Sequence, residues 1–128
     1  MTNDRGPAYF DEWYADIGAS PTRQALFERV LGVPEEVGPS NVLPLDGLRE
    51  IAAALALRKG AVLVDLGCGR GGAGMWLARE LGTELVGVDF SAEAIAQATE
   101  RRTLFGLQER ATFAVGTLEE SGVAAGSA

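Results

Sequence analysis

The sequence predicts an α/β fold built on a parallel sheet of three strands in spatial order 3-2-1. Three observations lead there. Val62-Leu63-Val64 is a continuous apolar run, the pattern of a strand buried on both faces. Two of the expected strands end on an aspartate, Asp65 and Asp89, and a glycine cluster follows the first. Strand-like and helix-like segments alternate from residue 62 to residue 115, and such alternation gives parallel strands joined by right-handed crossovers.

The elements follow in chain order. Tyr9 to Tyr14 is aromatic and acidic and reads as one short helix. Ser20-Pro21 reads as an N-cap with proline at the first helical position. That helix carries Leu26, Phe27, Val30 and Leu31, and Gly32 with Pro34 ends it. A loop spans 34–44, and Asp46 is the expected N-cap of the next helix. Leu48, Ile51, Ala52 and Leu55 fall on one face of it, and Lys59-Gly60 is expected to close it. After the first strand, Ala73 to Leu81 predicts a helix with Ala73, Trp76, Leu77 and Leu81 on one side. Leu85 to Val88 is the second strand. Ser91 caps a helix running to about Phe105, and Thr112 to Val115 is the third strand. The expected organisation is a helical segment and lid over 1–60, a βαβαβ unit over 61–120 and a flexible tail over 121–128.

Composition narrows the function. The 128 residues suffice for one compact domain. The net charge of −7 and the lack of a basic stripe argue against a nucleic-acid partner, because binding a phosphate backbone needs clustered Lys and Arg. The one cysteine allows no internal disulfide, and without histidine a zinc site is not expected. No signal peptide is evident, and the apolar run Ile51 to Leu57 is too short to span a bilayer, so no membrane role is expected and the expected location is cytoplasmic.

The chemical signal is Asp65-Leu66-Gly67-Cys68-Gly69-Arg70-Gly71-Gly72, placed between a strand and a helix. Glycines there let the backbone turn sharply and approach a ligand, and the helix start offers free N–H groups. Gly67, Gly69 and Gly72 match the dinucleotide pattern G-x-G-x-x-G, while Gly67, Gly69 and Gly71 match G-x-G-x-G, so the glycines leave two ligand classes open. Asp65 helps to separate them. A carboxylate at the loop mouth is an awkward neighbour for a pyrophosphate and suits a ligand with an ammonium group. Asp89, 22 residues after Gly67, is placed to accept both hydroxyls of a ribose, which either ligand carries. The alternative readings are that Asp65 caps the following turn and that Asp89 caps the helix at Ser91. The Cys68 thiol reads as small filler, since nothing nearby activates a thiolate. Arg70, Glu119 and Glu120 read as solvated, and Trp76 as core. Tyr9, Phe10, Trp13 and Tyr14 form either a packing helix or a lid.

Val62 to Gly71 together with Leu85-Val86-Gly87-Val88-Asp89-Phe90-Ser91 resembles the first two motifs of the class I S-adenosylmethionine (SAM)-dependent methyltransferases, most closely the bacterial small-molecule type. The resemblance implies a Rossmann-like fold, SAM as cofactor and a small-molecule methyl acceptor at O, N or C. It implies a cofactor-binding set of Asp65, Gly67, Cys68, Gly69, Asp89, Phe90, Thr117 and Leu118. In it, Asp65, Gly67 and Gly69 line the methionine end, Asp89 holds the ribose and Phe90 lies against adenine. Many members carry Gly-Asp after the third strand; here the residues are Gly116-Thr117, and Thr117 or the backbone near Leu118 takes that place. The family sheet has seven strands ordered 3-2-1-4-5-7-6, and this sequence supplies the first three. The expectation is therefore a fragment truncated to three strands, with no methyl transfer of its own and with unknown catalytic residues. The first strand is left as an apolar edge that invites homodimerisation or strand swapping near Val62 to Leu66. The competing readings are an NAD- or FAD-binding oxidoreductase domain and a non-enzymatic self-associating fragment.

Overall fold

A computed structural model describes residues 5–128. Helices α1 (Pro7–Gly18) and α2 (Pro21–Leu31), a 3-10 turn (Glu35–Val37) and helix α3 (Leu45–Leu55) precede the sheet. Then β1 (Val62–Leu66), α4 (Gly72–Leu81), β2 (Glu84–Asp89), α5 (Ala92–Phe105) and β3 (Ala111–Val115) alternate. The sheet is parallel with order β1-β2-β3. This is the 3-2-1 order expected from the alternation, read from the other edge. Val64 pairs with Val86 and Val86 with Thr112, so the three strands run in register.

Both crossovers have the same hand, so α4 and α5 lie on one face of the sheet. That face carries Leu63, Leu85, Ala111 and Phe113. With Met75, Trp76, Leu77, Ala78, Phe105 and Leu107 they form the core, which Val33, Val37 and Leu48 complete from the N-terminal segment. Trp76 is core, as expected. By strand alternation Val62, Val64, Leu66 and Val86 share the other face, where Leu66 is exposed and the valines are half-buried.

Several local expectations change. Helix α3 stops at Leu55, not at Lys59-Gly60, because Ala56 adopts a left-handed conformation (φ 46°) and caps the helix through its N–H to Ala52 O. The turn returns Leu57 to the core and leaves Leu55 exposed. Pro44 occupies the N-cap position in place of Asp46, which sits within the first turn and pairs with Arg49 at 3.3 Å on the surface. Ser20 does hold the N-cap position of α2, with Pro21 following, yet its side chain caps nothing. Leu26 and Val30 are exposed, and no residue of α2 is fully buried. Among the described residues no helix is long and apolar enough to cross a membrane.

Candidate functional site

The site forms where β1 and β2 end. Gly67 N–H and Cys68 N–H both donate to Val88 O, at 2.7 and 3.0 Å, which ties the glycine loop to the neighbouring strand. Gly71 N–H donates to Cys68 O at 2.9 Å and closes the turn into α4. Gly69 has φ 55°, and an added Cβ there would lie 2.7 Å from the Tyr14 hydroxyl, so both conformation and packing require glycine. The first turn of α4 has no side-chain cap.

Asp89 is only 6% exposed. Its Oδ2 accepts from Gly69 N–H at 2.8 Å and its Oδ1 from Ser91 N–H at 2.9 Å. One carboxylate therefore holds the glycine loop and the start of α5 together, and each oxygen retains acceptor capacity toward the space beside it. The capping contact at Ser91 and a place at the site coexist in one side chain.

Asp65 is different. It lies against α4, where its Oδ2 is 2.6 Å from the point a Cβ on Gly74 would occupy. Among the described residues no group donates a hydrogen bond to it, so the turn-capping alternative has no contact behind it. Burial, and then the nearby Asp89 charge, push its carboxyl above the ordinary range. A cation beside it would oppose both effects by favouring the charged carboxylate.

A cavity of about 390 Å³ opens here, lined by Leu66, Gly67, Val88, Asp89, Phe90, Gly116, Thr117, Leu118 and Glu119. It gathers Gly67, Asp89, Phe90, Thr117 and Leu118 of the sequence-derived set. Asp65, Cys68 and Gly69 are not on the cavity wall: Asp65 packs against α4 at Gly74, and Cys68 and Gly69 belong to the loop itself. The Cys68 thiol faces inward, 3.0 Å from the position of a Cβ on Gly87, and burial pushes its pKa up.

Helix α1 closes the site from the other side. The Phe10 and Phe90 rings stand 5.1 Å apart. Tyr14 is buried against the loop, and burial, with Asp89 beside it, pushes its phenol up to about 12. Asp11 Oδ1 accepts from Ser91 Oγ at 2.5 Å and from Glu93 N–H at 3.2 Å, adding an acidic cap to α5 from a different helix. These bonds hold the Asp11 carboxyl below its ordinary value. Sequence reasoning missed Asp11. Only the acidity of the 9–14 segment hinted at it, because its partner is 80 residues away.

Arg70 is not solvated. It is half-buried, donating to Gln24 Oε1 at 3.1 Å and Gly38 O at 3.3 Å. Glu119 and Glu120 are exposed, as read.

Comparison with known proteins agrees with this geometry. A family model described as a methyltransferase domain matches residues 57–125, more than half of the chain. A solved SAM-dependent methyltransferase from Geobacter sulfurreducens, in complex with S-adenosylhomocysteine, is 30% identical with TM-score 0.54, over 67% of this chain and 37% of that one. A probable cobalt-precorrin-6B C(15)-methyltransferase from Pyrobaculum calidifontis is 33% identical over 74% of this chain and 46% of its own length. Phosphoethanolamine N-methyltransferase 1 of Zea mays is 40% identical over 72% of this chain and 18% of its own length. The chain thus spans less than half of each of these relatives. With a parallel sheet, a glycine loop at the end of β1 and an aspartate at the end of β2, the chain belongs to the class I SAM-dependent methyltransferase family.

Proposed function

We propose that the cavity at the ends of β1, β2 and β3 is the SAM site, and that the protein methylates a small molecule at an O, N or C acceptor. The observation that carries this reading is the cavity at the strand ends lined by Gly67, Asp89 and Phe90, with the half-buried, unpartnered Asp65 carboxylate next in sequence to Leu66 on its wall. The residues fit the cofactor. Asp65 would compensate the ammonium of the methionine end, Asp89 would accept from the ribose hydroxyls, and Phe90 with Leu118 would flank the adenine. Thr117 stands where many relatives have aspartate and offers a hydroxyl in its place.

Bound SAM supplies an activated methyl group on a sulfonium. The contribution of the chain is to bind, orient and exclude water: the fixed loop sets the methionine end, and the α1 aromatics shield the site. This needs no histidine. The curated relatives are named for a carbon and a nitrogen acceptor, which supports the chemistry without choosing the acceptor atom. The net charge of −7 favours a small acceptor over a nucleic acid. Titration calorimetry with SAM, S-adenosylhomocysteine and NAD tests the cofactor. Binding of the first two but not NAD is expected; NAD binding alone would overturn the reading.

The outer edge of β1 has no strand partner among the described residues. We propose that it accepts a strand from a second copy of the chain. Sedimentation of 1–128 is expected to show a dimer whose population falls when Val64 is replaced by proline, which cannot donate to a new ladder.

A further inference from the structure

We propose that Arg101 is a positioning residue that holds the glycine loop in its cofactor-binding shape, an inference that rests on the cofactor reading above. Arg101 lies on α5, about two and a half turns from the cavity end of that helix. Its Nη1 donates to Arg70 O at 2.8 Å, and its Nη2 donates to Glu36 O at 2.7 Å and Val37 O at 2.8 Å. One guanidinium therefore binds the carbonyls of two separate segments, the glycine loop and the 3-10 turn. Its planar fork suits this; an ammonium would reach fewer of the three.

The geometry acts on the loop through one peptide plane. Arg70 O and Gly71 N–H belong to the same planar unit, so fixing the carbonyl fixes the direction of the N–H. That N–H makes the 2.9 Å bond to Cys68 O that closes the turn beneath Gly69. Gly69 in turn gives its N–H to Asp89. The second half of the clamp holds Val37 against Gly72, where a Cβ would collide with the Val37 carbonyl. Among the described residues Arg101 makes no ion pair, so carbonyl oxygens alone receive its donors. Burial, with the Arg70 cation beside it, lowers its pKa to about 10.

Arg102 supplies the control. It too donates to three carbonyls, of Thr99, Gln108 and Ala111, but at the end of α5 away from the loop. A merely structural role predicts that Arg101→Met and Arg102→Met both lower the melting temperature and leave S-adenosylhomocysteine affinity unchanged. The positioning role predicts that Arg101→Met weakens affinity about ten-fold at a temperature where it is folded, while Arg102→Met does not. Millimolar guanidinium is expected to restore part of the affinity of Arg101→Met. Arg101→Lys, which keeps the charge, provides a folded variant should the methionine variant not fold, and is expected to lose affinity as well. Wild-type affinity in both Arg101 variants would overturn the proposal. Amide exchange of Gly69 and Gly71 reads the loop without ligand and is expected to be faster in Arg101→Met. Should the wild-type chain bind no S-adenosylhomocysteine, the cofactor reading falls, and unchanged exchange at Gly71 would separately remove Arg101.

Discussion

At the N-terminal end of the sheet, the connections close on themselves. Thr83 N–H reaches back to Ala78 O and Leu107 N–H to Arg102 O, each past a left-handed glycine, so α4 and α5 both end in closed left-handed caps. Arg110 donates to Thr83 O, and Leu107 is fully buried. The C-terminal end carries two carboxylates on adjacent strands. One of them, Asp65, has no donor among the described residues, and a cavity opens beside the other. The same βα alternation therefore yields one end that stabilises the fold and one that holds an uncompensated charge for something else to neutralise. Desolvation disfavours a half-buried charge without a partner, which makes Asp65 a candidate to face a cationic group.

Substitutions at the two ends should separate stability from binding. The largest effect is expected for Gly72→Ala, because the colliding atom is the backbone oxygen of Val37. A loss of about 3 kcal/mol in denaturant unfolding is expected, with cofactor affinity lost as well. Next comes Asp89→Ala, which leaves the buried N–H groups of Gly69 and Ser91 without their acceptor. A stability loss of about 2 kcal/mol and a ten- to hundred-fold weaker S-adenosylhomocysteine affinity (roughly 1.5–3 kcal/mol) are expected by calorimetry. Unchanged affinity would remove Asp89 from the site.

Asp65→Asn should act with opposite signs on the two properties. It removes a half-buried, unpartnered charge, so a gain of about 0.5 kcal/mol in stability is expected together with weaker binding. The pH dependence follows from the direction of its shift. The folded carboxyl has a pKa above the ordinary 3.8, so it destabilises the fold at pH above that raised value. This penalty is relieved as pH falls through the raised value toward 3.8. Affinity for an ammonium-bearing ligand runs the other way and falls on acidification, because protonated Asp65 carries no charge. Calorimetry against pH is expected to show this fall in the wild type and a flatter profile in Asp65→Asn. The smallest effect belongs to the far end. Gly106 has φ 65° with nothing near its missing Cβ, so Gly106→Ala should cost about 1 kcal/mol in stability and leave affinity untouched.

The sheet and its two crossover helices were legible because their signals are local. Apolar runs mark the strands, Ser91 caps α5 through Ala94 N–H at 3.1 Å, and glycines stop α4 and α5. The N-terminal segment was read less well. The end of α3 depends on Ala56 in a conformation that no alanine advertises. Arg70 reads as solvated from its sequence neighbours, but its partners Gln24 and Gly38 lie 46 and 32 residues away; at Asp46 and Ser20 the capping residue type is present without the capping bond. Asp11 and Arg101 were missed for the same reason: their partners lie 80 and 31 residues away, and a surface acid or a basic pair reads identically whether or not it bonds across the fold.

The sequence by itself determined the strand order, the glycine loop, the two aspartates at strand ends and, through the paired motifs, the methyltransferase family. Period, turn chemistry and spacing encode these over short stretches. Only the tertiary structure decided that Asp89 bonds to the loop while Asp65 stays without a donor, that α1 caps α5 through Asp11, and that Arg101 ties the loop to the 35–37 turn. Those outcomes depend on burial and on hydrogen-bond partners brought together by packing, and neither is a property of any local run of residues.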